Sequence, residues 1–320
     1  MMSFSILGTG SALPERVVTN EELSHMVDTS DAWIRTRTGI RERRVCSSET
    51  VTELACQAAA KALTDSGCTA AELDLIICAT ISADYATPSM ACILQDKLGA
   101  HCPAFDINAA CTGFLYALDI AAGYFARKAD QKILVVAAEA MSRLIDWQDR
   151  STCVLFGDGA GAAVLGAGDG LLAIRTGAKG SIAPLYAPSS WGNSPFYTGN
   201  SAQPYLVMEG QEVFRFAVTS MVQTVEDVLA QTGVRKEELA WVLPHQANIR
   251  IIDAALSRLK IGPEKCLTNI VDHGNTSAAC AAILLDEASR AGKLKKGDLL
   301  AMTAFGGGLT TGACILRWDK

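Results

Sequence analysis

The stretch FDINAACTGFLYALDIAAGYFARK, residues 105–128, joins a short strand-like run to an alanine-rich helical run, and Cys111 lies between the two. A second stretch, TNIVDHGNTSAACAAILLDEASRAGK at residues 268–293, has the same order: a short strand and turn, then an alanine-rich helix. The two stretches begin 163 positions apart in a chain of 320 residues. Self-similarity at this distance predicts a chain built from two similar halves.

Two further pairs of segments lie at nearly the same offset. AELDLIICATISA (residues 71–83) matches EELAWVLPHQAN (237–248), and QKILVVAAEAMS (131–142) matches KGDLLAMTAFGGG (296–308). Glu72 and Glu237 in the first pair, and Leu134 and Leu299 in the second, each lie 165 positions apart. Chance similarity among apolar strands is the alternative, but three pairs in one order at a near-constant offset favour duplication. Each half is expected to run strand, helix, strand, helix, strand, helix, strand, strand, which gives two mixed β-sheets with helices between and outside them.

The boundary between the halves is predicted after FGDGAGAAVLGAGDG (residues 156–170), so that the halves are residues 1–170 and 171–320. The G-x-G-x-G in this segment is followed by a strand-like run and not by a helix, which argues against a dinucleotide site. Its glycines indicate close backbone packing instead. Apolar spacing also predicts amphipathic helices at residues 49–66, 211–231 and 247–259.

Composition indicates a core-rich globular protein, with 49% hydrophobic residues and a mean hydropathy of +0.21. Membrane insertion is not expected, because no apolar run approaches the roughly 18 uncharged residues of a membrane span, and KILVVAAEAM (residues 132–141) is interrupted by Glu139. The net charge of −6 gives no sign of nucleic-acid binding. The eleven cysteines are scattered without C-x-x-C spacing, which argues against a disulfide framework and a zinc site and favours the reducing cytoplasm.

One segment, WIRTRTGIRERR at residues 33–44, is strongly basic in this acidic chain. A solvated charged loop is the more common explanation of such a run. The alternative is a site for phosphate groups, in which Trp33 offers a flat surface for a ring to stack on.

Cys111 is the first candidate for chemistry. A thiol at the start of a helix is expected to have a lowered pKa and therefore to be a nucleophile, although most free cysteines are buried and inert. If the halves pack about a pseudo-twofold axis, the equivalent strand ends bring His245 and Asn275 to the same place. His25, His101 and His273 compete for the role of the imidazole. The alternative for Asn275 is a structural role as a turn or N-cap residue.

Six motifs together resemble β-ketoacyl-acyl carrier protein synthase III of the thiolase superfamily. They are DAWIRTRTGIRERR, DINAACTGFLYAL, DRSTCVLFGDGAGA, LPHQANIRII, HGNTSAA and AFGGGLTTGA, and the resemblance covers essentially the whole chain in order. It implies a duplicated αβαβα thiolase fold with five layers, a cytoplasmic homodimer and an acyltransferase activity. That activity is the initiating condensation of fatty-acid synthesis, in which an acyl-CoA primer, typically acetyl-CoA, condenses with malonyl-acyl carrier protein. No metal or other cofactor is implied.

The resemblance also implies roles for individual residues. Cys111 takes the acyl group as a thioester in a ping-pong reaction, and His245 and Asn275 donate hydrogen bonds to the enolate formed when the malonyl group loses CO₂. The oxyanion is expected to meet the backbone N–H of Cys111 and the glycine loop of Gly306, Gly307 and Gly308. The residues implied for the CoA and pantetheine tunnel are Thr29, Trp33, Arg37, Arg150, Gly210, Phe214, Ala247 and Asn248, with Trp33 and Arg37 around the adenine. The residues implied for contact with the acidic carrier protein are Arg215, Arg250 and Arg258.

The chain departs from the family pattern at two positions. Thr87 stands where some relatives have a phenylalanine that closes the acyl pocket from across the dimer, and a smaller residue there favours a longer or branched primer. Thr311 replaces a tryptophan that is common after the glycine loop, and nothing in the sequence predicts the effect.

Three other functions stay open on the sequence. A related Cys-His-Asn condensing enzyme of polyketide or quinolone type would not depend on the acyl carrier protein. A non-catalytic acyl-binding protein would form no adduct on Cys111. A cysteine hydrolase would release free acid. Elongating ketoacyl synthases are disfavoured because they have a Cys-His-His pattern, whereas the third position here is Asn275.

Overall fold

The computed structural model of the protein describes residues 3–188, 196 and 204–320. Residues 1–2 of the predicted first half and 189–195 and 197–203 of the second lie outside this part. The strands are β1 (Ser3–Ala12), β2 (Val17–Thr19), β3 (Glu42–Arg44), β4 (Leu75–Ala79), β5 (Ala104–Ile107), β6 (Lys132–Ala140), β7 (Asp158–Gly168), β8 (Leu171–Ser181), β9 (Leu185–Tyr186), β10 (Val207–Met208), β11 (Leu239–Pro244), β12 (Leu299–Gly306) and β13 (Gly308–Arg317). The helices are α1 (Asn20–Ser24), α2 (Asp31–Thr38), α3 (Val51–Ser66), α4 (Met90–Leu98), α5 (Gly113–Arg127), α6 (Arg150–Cys153), α7 (Gly210–Thr232), α8 (Ile249–Leu259), α9 (Ile270–His273) and α10 (Ala279–Arg290).

Two mixed sheets form the centre of the molecule, with strand orders β1-β7-β6-β4-β5 and β11-β12-β13-β8. Their pairings correspond. β4 is parallel to β6 and β6 antiparallel to β7, as β11 is parallel to β12 and β12 antiparallel to β13. The outer strands β1 and β8 each run antiparallel to the last strand of their half. The predicted fold of two similar halves with mixed sheets is confirmed. The boundary between residues 170 and 171, which falls in the turn between β7 and β8, stays a prediction.

One predicted strand is absent from the described part of the second half. The segment that follows Thr268 corresponds in sequence to β5, but the chain makes only a single bridge there, between Val242 and Cys266. The amide oxygen of Gln246 then accepts the N–H groups of Asn269 and Ile270, at 3.1 and 3.2 Å. These bonds turn the backbone into the short helix α9, so the sheet ends with four strands.

The helices form three layers around the two sheets. α5 and α10 lie between the sheets, and their apolar faces join residues of both halves in one core. α3 and α4 cover the outer face of the first sheet, and α7 and α8 cover the outer face of the second. The result is the five-layer arrangement that the sequence predicts.

The three amphipathic helices predicted from spacing are confirmed as α3, α7 and α8. α3 begins with a capping box, in which Thr50 accepts from the N–H of Glu53 and the Glu53 side chain accepts from the N–H of Thr50. Asn248 caps the N-terminus of α8, and its side chain accepts from the N–H of Arg250 at 2.9 Å. Within the part of the chain that is described, no helix is both long and apolar enough to cross a membrane.

The glycines of β7 allow the helix layer to approach the sheet closely. A Cβ atom at Gly161 would lie 2.5 Å from the Cβ of Ala282 and 2.7 Å from the backbone of α10. α10 therefore packs directly on β7. Because the segment before α10 carries Asn275 and Ser277, this contact fixes where those side chains lie.

Replacing Gly161 by alanine is expected to destabilise the fold by about 1–3 kcal/mol, because the added methyl group forces α10 away from the sheet. The matched control is Gly123→Ala on α5, where the added Cβ meets nothing within 4 Å. That change should be neutral or stabilising, because alanine favours a helix by about 1 kcal/mol over glycine. Thermal unfolding of the two variants measures the difference, and equal melting temperatures would contradict the packing argument.

Candidate active site

A cavity of about 360 Å³ opens between the two halves. Cys111, His245 and Asn275 all line it, although they come from three separate segments. The rest of the wall is mostly apolar. Its apolar side chains are Ile81, Met141, Val154, Leu155, Phe156, Leu185, Leu206, Met208, Val213, Phe214, Ile251 and Phe305.

Cys111 lies in the 3-10 turn Ala110–Thr112, which joins β5 to α5. Two threonines hold this turn against the second half. Thr112 donates its hydroxyl to the carbonyl of Ala109 at 2.6 Å, and the hydroxyls of Thr112 and Thr310 are hydrogen-bonded at 2.9 Å. Ala110 has a φ of 46°, a strained value for a residue other than glycine. The turn therefore presents Cys111 to the cavity in a fixed position.

The predicted lowering of the thiol pKa is wrong. Cys111 as a residue is partly exposed, but burial of its thiol raises the pKa to about 12. The side chain of Ser277 lowers the pKa, and the neighbouring Cys280 and Glu139 raise it. The loss of hydration outweighs the two contributions that lower the pKa, from the Ser277 side chain and from a backbone hydrogen bond of Cys111. Resting Cys111 is a thiol, so its deprotonation needs a proton acceptor.

His245 follows β11 directly and is 1% exposed. Its backbone N–H donates to the carbonyl of Thr303 at 2.8 Å. Its ring packs edge to face with the ring of Phe305, with 5.3 Å between the ring centroids. Neither ring nitrogen has a hydrogen-bond partner among the described residues. Burial lowers the pKa of His245 to about 3, so the ring is neutral and one nitrogen carries a proton. A buried imidazole without partners is suited to donate to a bound group.

Asn275 is 6% exposed and is fixed through its backbone. Its N–H donates to the carbonyl of Leu155 at 2.8 Å, and its carbonyl accepts from Gly157 at 3.1 Å. The side-chain oxygen accepts from the N–H of Ser277 at 2.9 Å. This bond leaves the NH₂ group of Asn275 as its donor toward the cavity.

The glycine loop lies against Cys111. A Cβ atom at Gly306 would come within 2.8 Å of the backbone nitrogen of Cys111. Gly307 lines the cavity, and Gly308, with a φ of 133°, begins β13. Only glycine permits this approach of two backbones, which brings the N–H of Cys111 and the loop to one side of the thiol.

The basic segment lies at the mouth of the cavity. Trp33 and Arg37 line it, but the guanidinium carbon of Arg150 is nearer the Trp33 ring, at 4.8 Å from the centroid against 5.9 Å for Arg37. Arg150 is held by the carbonyl of Asp28 at 2.6 Å. Thr29 does not line the cavity, yet its buried hydroxyl has no partner among the described residues.

Four of the other residues implied for the tunnel line the cavity, and Arg150 does not. The four are Gly210, Phe214, Ala247 and Asn248. Arg215, Arg250 and Arg258 are exposed on α7 and α8, and Arg250 also lines the mouth. None of the three arginines forms an ion pair with a described residue.

The two positions that depart from the family lie outside the cavity of this chain. Thr87 is exposed in the loop before α4. Thr311 lies on β13 and donates its hydroxyl to the carbonyl of Gly177 on β8 at 3.2 Å. Its contact is therefore with the neighbouring strand.

Sequence reasoning missed Phe305, Ser277 and Glu139. Ser277 was visible only as part of a turn, and its φ of 50° depends on the fold. The sequence did give a sign of Glu139, because it is the one acidic residue in a mostly apolar strand. A buried carboxyl group of this kind needs hydrogen-bond partners. No group of three His, Cys, Asp or Glu side chains in the described ranges is placed to hold a metal ion.

Two family models match the chain. The model described as 3-oxoacyl-[acyl-carrier-protein (ACP)] synthase III matches residues 105–180, and the model described as its C-terminal part matches residues 229–318. Among the curated proteins, the β-ketoacyl-[acyl-carrier-protein] synthase III of Clostridium acetobutylicum is 45% identical over 325 residues, covering 100% of both chains.

Solved structures agree with the sequence comparison. The 3-oxoacyl-[acyl-carrier-protein] synthase III of Aquifex aeolicus is 48% identical and superposes with a TM-score of 0.92, covering 98% of this chain and 100% of the other. The priming β-ketosynthase of the R1128 polyketide pathway is 37% identical with a TM-score of 0.93, covering 99% and 97%.

Proposed function

Because the chain belongs to the 3-oxoacyl-[acyl-carrier-protein] synthase III family, which catalyses the initiating condensation of fatty-acid synthesis, we propose that Cys111 is the residue that carries the acyl group. The observation that carries this proposal is the single cavity that holds Cys111, His245 and Asn275. In the first half-reaction the sulfur of Cys111 attacks the thioester carbonyl of an acyl-CoA, and CoA leaves. The covalent thioester divides one difficult transfer into two easier steps.

In the second half-reaction, His245 and Asn275 stabilise the enolate of the decarboxylating malonyl group. Negative charge grows on the malonyl thioester oxygen as CO₂ departs. The neutral ring of His245 and the NH₂ group of Asn275 donate to that oxygen, in a site whose apolar walls strengthen each hydrogen bond. The resulting carbanion attacks the acyl group on Cys111 and produces the 3-ketoacyl thioester.

Each tetrahedral intermediate on Cys111 carries a negatively charged oxygen, the oxyanion, which needs hydrogen-bond donors of its own. We assign the backbone N–H of Cys111 and the glycine loop of Gly306, Gly307 and Gly308 to this oxyanion. Support comes from the close approach of Gly306 to the nitrogen of Cys111. Fixed backbone donors stabilise such an oxygen without reorganising during the reaction.

Acyl-CoA is proposed to enter past Trp33. The arginine side chains of Arg37 and Arg150 supply positive charge for the phosphates, and the flat Trp33 ring supplies a surface for the adenine. The guanidinium of Arg150 lies over the Trp33 ring, so this side chain must move aside before the adenine stacks there. The unpartnered hydroxyl of Thr29 adds a polar contact at the mouth. The pantetheine arm then runs along Gly210, Phe214, Ala247 and Asn248 to Cys111.

The decisive assay compares two reactions of acetyl-CoA, one with malonyl-acyl carrier protein and one with malonyl-CoA. The expected product is 3-ketoacyl-acyl carrier protein with release of CO₂ and CoA. Equal use of malonyl-CoA would favour the polyketide type of condensing enzyme, to which the R1128 ketosynthase is the similar structure. Free acid as the product would indicate a hydrolase. A panel of acetyl, branched and medium-chain acyl-CoAs measures the primer preference that Thr87 is proposed to influence.

The basic patch of Arg215 and Arg258 is proposed to receive the acidic carrier protein. The double change Arg215→Ala and Arg258→Ala should lower kcat/KM for malonyl-acyl carrier protein about 10-fold at low ionic strength, because such charges steer association. Added salt should remove most of the difference. The reaction with malonyl-CoA should be unchanged.

Arg127→Ala is the control for this prediction. Arg127 is also exposed, but it lies at the end of α5 opposite the cavity and packs over Tyr124. It should leave both reactions unchanged. A loss that persists at high salt, or that extends to malonyl-CoA, would contradict the docking role.

A homodimer and a cytoplasmic location are also proposed. β5 is the edge strand of the first sheet and all four of its residues are partly exposed, so two copies can pair along this edge. The exposed Thr87 would then face the acyl pocket of the partner subunit. Size-exclusion chromatography with light scattering tests the dimer.

A further inference from the structure

The mechanism above does not use Glu139, although this carboxyl group acts on the Cys111 thiol. Glu139 lies on β6, is fully buried, and has no basic side chain as a partner among the described residues. Burying a carboxyl group without an opposite charge is unfavourable, so its presence behind the cavity calls for an explanation.

Ser277 links this carboxyl group to the wall of the cavity that holds the nucleophile. The hydroxyl of Ser277 donates to Oε1 of Glu139 at 3.1 Å. Ser277 and Cys111 line the same cavity, and the Ser277 side chain acts on the pKa of the Cys111 thiol. Ser277 lines the cavity, and its φ of 50° shows that the backbone holds it in an unfavourable conformation at this point.

The other carboxyl oxygen of Glu139 is held by donors. The hydroxyl of Ser82 donates to Oε2 at 2.5 Å and the N–H of Ile81 donates at 3.1 Å. The N–H of Ala278, just before α10, also donates to this carboxyl group. These donors stabilise the ionised form without fixing a counter-charge.

We propose that Glu139 accepts the proton of the Cys111 thiol through the hydroxyl of Ser277 when the acyl group is transferred. The inference rests on the proposed acylation of Cys111. His245 is the other nearby base, but burial lowers its pKa to about 3, which makes it a poor acceptor. Burial raises the pKa of Glu139 to about 7, against the bonds from Ser82, Ile81 and Ser277, which lower it. An acid with such a pKa is suited to exchange protons at neutral pH.

The protons balance over one turnover. As the sulfur of Cys111 attacks the acyl carbon, its proton passes to the oxygen of Ser277, and the proton of Ser277 passes to Glu139. The carbon–sulfur bond to CoA then breaks, and the proton returns by the same path to the CoA sulfur, which was bonded to the same carbon. After condensation, the Cys111 thiolate takes one proton from solvent, which is the proton that decarboxylative condensation consumes.

Among the described residues, three thiols have a pKa that the charge of Glu139 raises. They are Cys111 itself, Cys78 on β4 and Cys280 on α10, and burial raises the pKa of each. All three are therefore neutral near neutral pH. The ionisation of Glu139 should dominate the pH dependence of acylation.

Rapid mixing with acetyl-CoA alone, over pH 5.5 to 8.5, is designed to test the relay. The wild-type rate of CoA release should rise with pH and level off above about pH 7, as Glu139 ionises. Glu139→Gln should lower this rate about 10²-fold or more and remove the inflection. Ser277→Gly, which also suits the positive φ, should have the same effect, and the double variant should be no slower than either single variant. Decarboxylation of malonyl-acyl carrier protein should be retained.

The matched control is Asp158→Asn. Asp158 is also buried, burial raises its pKa, and it accepts from the hydroxyl of Ser142 at 2.6 Å, but it does not line the cavity. It should keep the wild-type profile. Wild-type acylation rates and inflections in Glu139→Gln and Ser277→Gly would overturn the relay, as would an equal loss of both half-reactions. Failure of the wild-type protein to acylate Cys111 would instead overturn the proposed function.

Discussion

Cys111→Ala is expected to abolish acyl transfer, with a loss of at least about 10⁴-fold, because no other group can form the thioester. After incubation with acetyl-CoA, mass spectrometry should find an acetyl adduct on Cys111 of the wild-type protein and none on the variant. The thiol is buried and its turn is held by Thr112 and Thr310, so the smaller side chain should leave the fold intact.

Cys92→Ala is the control for this experiment. Cys92 is an exposed free thiol on α4 and lies outside the cavity. The variant should acetylate normally. An adduct on Cys92 in place of Cys111, or full activity of Cys111→Ala, would exclude Cys111 as the nucleophile.

His245→Ala and Asn275→Ala should separate the two half-reactions. Each change removes one donor to the enolate, so malonyl decarboxylation should fall on the order of 10²- to 10³-fold. Acetylation of Cys111 should remain measurable in both variants. CO₂ release from malonyl-acyl carrier protein and CoA release from acetyl-CoA measure the two steps separately. Equal losses in both steps would contradict these roles.

The pH dependence offers a further check on His245. Its pKa, lowered to about 3 by burial, means that the ring gains a second proton only below that value. Between pH 5 and 9 the imidazole is neutral, and wild-type decarboxylation should show no inflection from it. An inflection between pH 6 and 7 that disappears in His245→Ala would show that the ring is charged in the working enzyme.

The pattern of the sequence predicted much of the fold because duplication repeats whole elements at a constant offset. β4 with β11, α5 with α10, and the hairpin of β6 and β7 with that of β12 and β13 all occur where the offset requires. The strand predicted after Thr268 does not form, because the hydrogen bonds from the N–H groups of Asn269 and Ile270 to Gln246 decide the local conformation. Spacing carries no information about a tertiary contact of this kind.

The candidate site was predictable in its members but less so in its chemistry. Cys111, His245 and Asn275 are recognisable by position, yet the pKa of the thiol depends on how deeply the fold buries it. The stacking of Arg150 on Trp33 joins residues 117 positions apart in the sequence and could not be inferred from the basic segment. Glu139 was visible as an interruption of an apolar strand, but its partner Ser277 lies in the other half.

The apolar wall of the cavity has a consequence for the interval between the two half-reactions. In the proposed mechanism both substrates reach Cys111 through one tunnel, so CoA must leave before the malonyl arm enters, and the thioester must persist during the exchange. Met141, Val154 and Phe156 line this cavity and offer water no side-chain hydrogen-bond partner. We therefore expect slow hydrolysis of the proposed Cys111 thioester, so that the loaded subunit keeps its acyl group until the malonyl-acyl carrier protein binds.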